Sequence, residues 1–161
     1  MKPGHPQICL FQPEIPQNTG SIGRLAAGTA SRLHLIKPFG FDMSDKNVRR
    51  AGLDYWPFLD LEIHDDLETL LARFPGKVAF FSKFATHDYT EIPTDTELLV
   101  FGRETSGLPD WVHTQYASQL YRIPLFHTEV RSLNLANAVS IGVYDLMRRR
   151  GLFEGNHHEH D

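Results

Sequence analysis

The apolar positions of the chain fall in short runs bounded by proline, glycine and polar clusters. Residues 7–12 (Gln-Ile-Cys-Leu-Phe-Gln) form the kind of near-continuous apolar run that a buried strand shows, and Pro13 and Pro16 then interrupt it. Beyond Asn18-Thr19-Gly20, the residues Ile22, Leu25, Ala26 and Ala27 carry helical spacing. Residues 32–37 read as a second strand ended by Pro38, and further strands are predicted at 58–63, 77–82, 98–102 and 119–123. Helices are predicted at 46–51, 66–73, 109–115 and 134–150. Strands alternating with helices in this way predict a mostly parallel sheet covered on both faces. The last helix has the clearest pattern: Leu135, Val139, Gly142, Val143, Leu146 and Met147 make its buried stripe. Arginines suit its C-terminal end, and Gly151 stops it.

Composition narrows the class. At 161 residues, with 41% apolar and 22% charged residues, the chain has the size and make-up of one globular domain, which excludes disordered, collagen-like and coiled-coil proteins. A chain of this length buries roughly two-thirds of its unfolded surface, enough for a core without staples. The single cysteine, Cys9, excludes an internal disulfide framework and any multi-cysteine metal cluster. No apolar run is long enough to span a bilayer, and residues 1–6 have no apolar stretch of signal-peptide length. The expectation is a soluble cytoplasmic domain over residues 1–153, followed by a flexible His-rich tail at 154–161 that binds metal weakly at most.

The formal net charge of −4 argues against a protein that coats nucleic acid indiscriminately. Basic residues nonetheless cluster at 46–50 and 148–150, whereas acidic ones concentrate at 60–68 and 88–97, so a local basic patch remains open.

In open parallel sheets ligands bind beyond the carboxyl ends of the strands. Three stretches in such places are dense in glycine, proline, amide and hydroxyl groups. In the first, residues 13–24, Asn18 or Thr19 is expected to cap a helix, with Arg24 about one turn in and reaching the same spot. In the second, residues 101–109, Gly102 directly after a strand permits close approach of a ligand to the backbone, and Glu104 offers a carboxylate at the mouth of the sheet. In the third, residues 123–137, capping explains Ser132 or Asn134 but not Arg131, Ser132, Asn134 and Asn137 together; Asn137 is expected to be buried among polar partners.

In order and spacing these segments resemble the three motifs of the SPOUT-class RNA 2′-O-ribose methyltransferases. The matching residues are Asn18-Thr19-Gly20 with Arg24; Phe101-Gly102-Arg103-Glu104 with Gly107-Leu108-Pro109; and Ile123-Pro124 with Arg131-Ser132-Leu133-Asn134-Leu135 and Asn137-Ala138. Further matches are Pro13-Glu14-Ile15-Pro16 and the stretch from Asp45 to Tyr55, and the resemblance runs from Gln7 to Leu152. The compact length is similar to that of the branch acting on the wobble nucleotide of tRNA.

The resemblance implies a single-domain α/β fold whose C-terminal part is threaded into a trefoil knot, a rare topology that no periodicity reveals. It implies a homodimer that binds S-adenosyl-L-methionine and the tRNA anticodon stem-loop, with neither membrane nor metal. The reaction it implies is 2′-O-methylation of nucleotide 34, cytidine or carboxymethylaminomethyl-uridine, in leucine isoacceptors. Carried over by position, Phe81, Ser82, Gly102, Ile123, Pro124, Ser132 and Leu133 are expected to hold the cofactor. Arg24 is expected to be essential, as a cation stabilising the developing alkoxide rather than as a base, because arginine stays protonated. Asn18 and Glu104 are expected to orient Arg24, within a subunit or across two, and Ser132 and Asn134 to fix the hydroxyl or the loop beside it. Lys46, Arg49, Arg50 and Arg131 are the expected phosphate contacts, with Tyr144 near the site or the dimer interface.

Other classes fit less well. Glycines at 20, 23 and 28 do not make the G-x-G-x-x-G dinucleotide fingerprint, and neither a G-x-S-x-G elbow nor an H-E-x-x-H helix is present. His34, His64, His87 and His113 are expected to be isolated from other candidate ligands and read as surface or packing residues, so no metal is expected. Two alternatives stay open: the same chemistry on another tRNA or rRNA ribose, and a non-catalytic RNA-binding module.

Overall fold

The computed structural model describes residues 1–154 except Asp45 and Leu53, so the His-rich tail from residue 155 onward lies outside the described residues. Along the chain run β1 (Gln7–Phe11), α1 (Pro16–Gly28), β2 (Leu33–Ile36), α2 (Lys46–Gly52), β3 (Leu61–His64), α3 (Leu67–Leu71), β4 (Val78–Phe81), β5 (His87–Asp88), β6 (Leu98–Phe101), α4 (Asp110–Gln115), β7 (Leu120–Arg122) and α5 (Leu135–Arg149). All strands join one sheet in the order β3-β2-β1-β6-β4-β7-β5, and every pairing is parallel.

Alternation along each strand splits the core into two layers. Ile8, Leu10, Leu33, Leu35, Leu99 and Phe101 face α1 and α5, where they meet Ile22, Ala26, Val139, Val143 and Leu146. Cys9, Phe11, Ile36, Val78, Phe80 and Val100 face α3 and α4, meeting Leu67, Leu70 and Val112. Both faces are covered, which is why the strands are apolar at nearly every position. The sheet thus carries its ligand-competent edge, the carboxyl ends of β1, β4, β6 and β7, next to the three polar loops.

Most predicted elements lie within a residue or two of their observed bounds. Two differ. The stretch predicted as a strand at 58–63 begins as a single 3-10 turn, Trp56–Phe58, and pairs only from Leu61. Phe58 is 77% exposed, so its apolarity does not report a core strand. Strand β5 was not predicted, because two polar residues paired to β7 carry no apolar signal.

The helix starts also correct the sequence reading. α1 begins at Pro16, with Ile15 in the capping position and no side-chain cap. Proline at the first helical position is pre-organised for this, and Asn18 and Thr19 are therefore buried in the first turn rather than capping it. α5 is capped by Asn134, whose side-chain oxygen accepts from the N–H groups of Ala136 and Asn137. Asn137 is exposed, not buried as expected, because it stands on the outer side of that first turn. At its other end α5 closes on Gly151, at φ +72°, with the Leu152 N–H reaching the Met147 carbonyl and the Gly151 N–H that of Arg148.

The cluster at 148–150 is not a free basic patch. Arg148 and Arg149 pair with Asp145, and Arg150 donates to the carbonyls of Gly4 and Thr96. Among the described residues no helix is long and apolar enough to cross a membrane.

Candidate functional site

The loop after β6 folds back on itself. Arg103 and Gly107 exchange two backbone hydrogen bonds of 3.0 Å, and Gly107 sits at φ +68°. A Cβ on Gly102 would lie 2.3 Å from the Gly107 carbonyl carbon and 2.5 Å from the Leu108 nitrogen. Glycine is thus required at 102 by the loop's own backbone, whereas the sequence had suggested approach of a ligand. Arg103 is held by Gln12, whose side-chain oxygen accepts from its Nε at 2.9 Å, and its guanidinium lies 4.8 Å from the centre of the Phe11 ring. It braces the loop on the end of β1.

Two further links tie the three loops together. The Glu104 carboxylate accepts from the backbone N–H groups of Glu14 (3.1 Å) and Ile15 (2.6 Å) at the start of α1, where the helix favours negative charge. In return the Glu14 carboxylate accepts from the Thr105 N–H (3.1 Å) and hydroxyl (2.9 Å). Asn134, while capping α5, donates its side-chain amide to the Asn18 side-chain oxygen at 3.0 Å. The first loop is therefore clasped to the second by a reciprocal carboxylate pair and to the third by an amide pair.

Between them lies a cavity of about 640 Å³, within the range of small-molecule sites, roughly 300–1,000 Å³. Phe81, Phe101, Leu108, Ile123 and Leu133 contribute apolar walls. Phe81 stacks on Phe101 with centroids 4.4 Å apart, and α5 approaches so closely that a Cβ on Gly142 would lie 2.6 Å from the tip of the Phe81 ring. The Ser82 hydroxyl and His113 Nε2, 2.8 Å apart, form a polar pair on the wall. Lys83, Arg122 and Arg131 also line the cavity.

Of the residues singled out from sequence, Asn18, Glu104, Ser132 and Asn134 surround this one cavity, together with Phe81, Ser82, Gly102, Ile123, Leu133 and Arg131. Pro124 is not among its lining residues. Arg24 is also elsewhere. Because α1 starts at Pro16, Arg24 lies more than two turns in, and six residues beyond Asn18 it is displaced by about 9 Å along the axis and about 120° around it. Its guanidinium donates to the Tyr55 hydroxyl at 3.1 Å and covers that ring at 4.6 Å. Within one chain, then, Asn18 and Glu104 do not orient Arg24; their partners are Asn134 and the start of α1. Lys46, Arg49 and Arg50 are exposed on α2, which lies against α1. Tyr144 is exposed on α5, its ring 6.1 Å from that of Phe153.

Sequence reasoning missed Glu14, Thr105 and His113. The first two stand within motifs, where their mutual contact has no local signal. The histidines require a correction too. His113 belongs to the cavity wall, and His34 and His64 are not isolated: His34 Nδ1 and His64 Nε2 are 2.9 Å apart with Glu62 beside both. His34 is fully buried, and burial pulls its pKa down to about 4, with its neighbour Glu62 opposing that shift and His64, Arg73 and Arg32 adding to it.

Fold and site together define a doubly wound α/β protein with a ligand-sized cavity built from the loops at the carboxyl ends of its strands. The chain belongs to the SpoU rRNA Methylase family, whose model matches residues 5–144. It is 45% identical over 149 residues, covering 89% of this chain and 92% of the other, to a Bacillus subtilis (strain 168) protein provisionally named tRNA (cytidine(34)-2'-O)-methyltransferase. A provisionally named RNA methyltransferase from Bacillus anthracis superposes with a TM-score of 0.85 at 37% identity, covering 96% of this chain and 99% of that one. A solved structure described as "Structural insights into the 2-OH methylation of C/U34 on tRNA" gives a TM-score of 0.83 at 39% identity, covering 92% and 98%.

Proposed function

We propose that the protein methylates the ribose 2′-hydroxyl of the wobble nucleotide, cytidine 34 or a modified uridine 34, of tRNA in the cytoplasm, leucine isoacceptors among its substrates. The observation that carries this reading is the convergence of all three polar loops on one cavity, in a chain whose near-full-length relative is named for that reaction. The residues present fit S-adenosyl-L-methionine: apolar walls from Phe81, Ile123 and Leu133 suit an adenine, while Ser82, His113 and loop backbone supply polar partners. When bound, that cofactor supplies a methyl group on a sulfonium, already electrophilic.

The chain's task is alignment and charge. The residues around the cavity would have to hold the ribose 2′-hydroxyl in line with that methyl group and let the hydroxyl proton leave to an acceptor. Ser132 and Asn134, beside the cavity, would position the ribose, and Asn18 and Glu104 would hold the loops in register through the clasps described above. Arg24 lies outside its own chain's cavity, which favours a homodimer in which Arg24 of one copy serves the cavity of the other as a cation beside the developing alkoxide. Tyr144, exposed with Phe153 on α5, would lie at or near the contact between copies. Lys46, Arg49 and Arg50 on α2, with Arg131 at the cavity, would contact anticodon-arm phosphates, and the unpaired loop makes its base accessible. Family membership favours a knotted passage of the β7–α5 segment through the loops around the cavity.

Arg24→Ala is the test. Cofactor affinity by calorimetry should stay within about twofold, while methyl transfer to tRNA should fall by roughly 10²–10³, the cost of removing one stabilising donor. Loss of cofactor binding would place Arg24 in the cofactor pocket instead.

A further inference from the structure

We propose that the outer edge of the sheet carries a divalent-cation site of zinc type, formed by His34 Nδ1, Glu62 Oε2 and His64 Nε2. The register of β2 against β3 sets His34 opposite Glu62 and Ile36 opposite His64, so the period of two puts all three side chains on one face. Their ligand atoms form a nearly equilateral triangle: 2.9 Å from His34 to His64, 3.3 Å from His34 to Glu62, and 3.4 Å from His64 to Glu62. Three ligands held about 2.0–2.2 Å from a tetrahedral ion lie about 3.3 Å from one another.

Proton placement points the same way. His34 Nε2 lies 2.7 Å from the Gln7 side-chain oxygen, which can only accept, so the ring proton sits on Nε2 and Nδ1 presents a bare lone pair. This is the outer hydrogen bond that orients a metal-ligating imidazole. The bare nitrogen faces the His64 nitrogen and a carboxylate oxygen that can only accept, so the proton between the two imidazoles is that of His64, while Glu62 Oε2 accepts from Arg73. A cation at the centre, taking the place of that proton and of Arg73, would use one lone pair from each of the three atoms. Two imidazoles and one carboxylate suit zinc better than magnesium or calcium, which take oxygen ligands. Access is open, since the His64 and Glu62 side chains are 16% and 31% exposed while His34 forms the floor.

Arginine opposes the ion. Arg73 Nη1 donates to the same Glu62 oxygen at 2.8 Å, and Arg32 Nη1 lies 3.2 Å from the other oxygen. Asp60, 3.1 Å from Arg32, balances that second charge. Arg73 is 45% exposed on a long side chain and free to withdraw. Zinc therefore displaces Arg73 and staples the edge strand β3 to β2, apart from the methyl-transfer cavity, which none of the three ligands lines.

The experiment uses the full chain with His157→Ser, His158→Ser and His160→Ser, so that the tail histidines do not compete. Zinc chloride is titrated against a chromophoric chelator, and cobalt(II) absorption reports geometry. The expected result is one zinc equivalent, tetrahedral cobalt bands and a raised melting temperature. In this background His64→Ala and Glu62→Gln, both at partly exposed positions, should each weaken zinc by at least about 100-fold, whereas Arg73→Ala should tighten it by about tenfold. Zinc binding indifferent to His64→Ala and Glu62→Gln, or no equivalent bound in the parent, would overturn the proposal and leave the triad a hydrogen-bonded strand pairing.

Discussion

Glu104 shows how one side chain on the cavity wall also ties together the loops that form it. Its charge is used at the start of α1, on backbone N–H groups of residues far from it in sequence. Hydrogen bonds to a charged group are worth about 1.5–3 kcal/mol each way of counting, so Glu104→Gln, which keeps shape and loses charge, should cost about 1–2 kcal/mol. For a chain of this size that is a fall in melting temperature of roughly 2–8 °C, read by thermal unfolding; an unchanged midpoint would mean the clasp holds nothing. His34 gives a second residue-scale expectation. Its folded pKa of about 4 lies below the ordinary 6.5 because of burial, against Glu62 and beside His64, Arg32 and Arg73. The unfolded chain then binds the extra proton, so stability is complete above about pH 6.5 and falls toward pH 4, by roughly 1.4 kcal/mol per pH unit from this group. Glu62, whose carboxyl is lowered chiefly by the Arg73 hydrogen bond, holds its own contribution until lower pH. Denaturant titrations across pH 4–7 should show that slope in the parent and a flatter one in His34→Gln; equal slopes would contradict it.

At the scale of elements, α5 and β4 meet where only glycine fits. A methyl group at Gly142 would strike Phe81, which is itself stacked on Phe101 and cannot retreat into the sheet. Gly142→Ala should turn the Phe81 ring into the cavity, destabilise the fold by about 1–3 kcal/mol and weaken cofactor binding at least several-fold by calorimetry. Full affinity would show that the ring can move elsewhere. Elements such as β1, β4 and β6 were legible in the sequence because strands buried on both faces are apolar throughout. The β5 pairing was not, since it involves His87 and Asp88 alone. The α1 start was misread for a physical reason: Asn18 looks like a cap, yet Pro16 begins the helix and Glu104, 89 residues away from Ile15, supplies the acceptor.

At the scale of the molecule, the three loops were recognisable as chemistry-bearing from their glycine, amide and hydroxyl content, and the sheet brings them to one cavity. What spacing could not convey is which partners they choose. Asn18 meets Asn134 across 116 residues, and Arg24 points away toward Tyr55. The outward turn of Arg24, away from the cavity of its own chain, is the feature that the proposed homodimer is meant to account for. The most direct test of the central claim is nucleoside mass spectrometry of anticodon-loop fragments from tRNA prepared from cells lacking this protein, after incubation with the purified enzyme and S-adenosyl-L-methionine. The account predicts new 2′-O-methylation confined to cytidine or uridine 34 and dependent on the cofactor. Methylation at another ribose, or none in tRNA while the cofactor is bound, would contradict it.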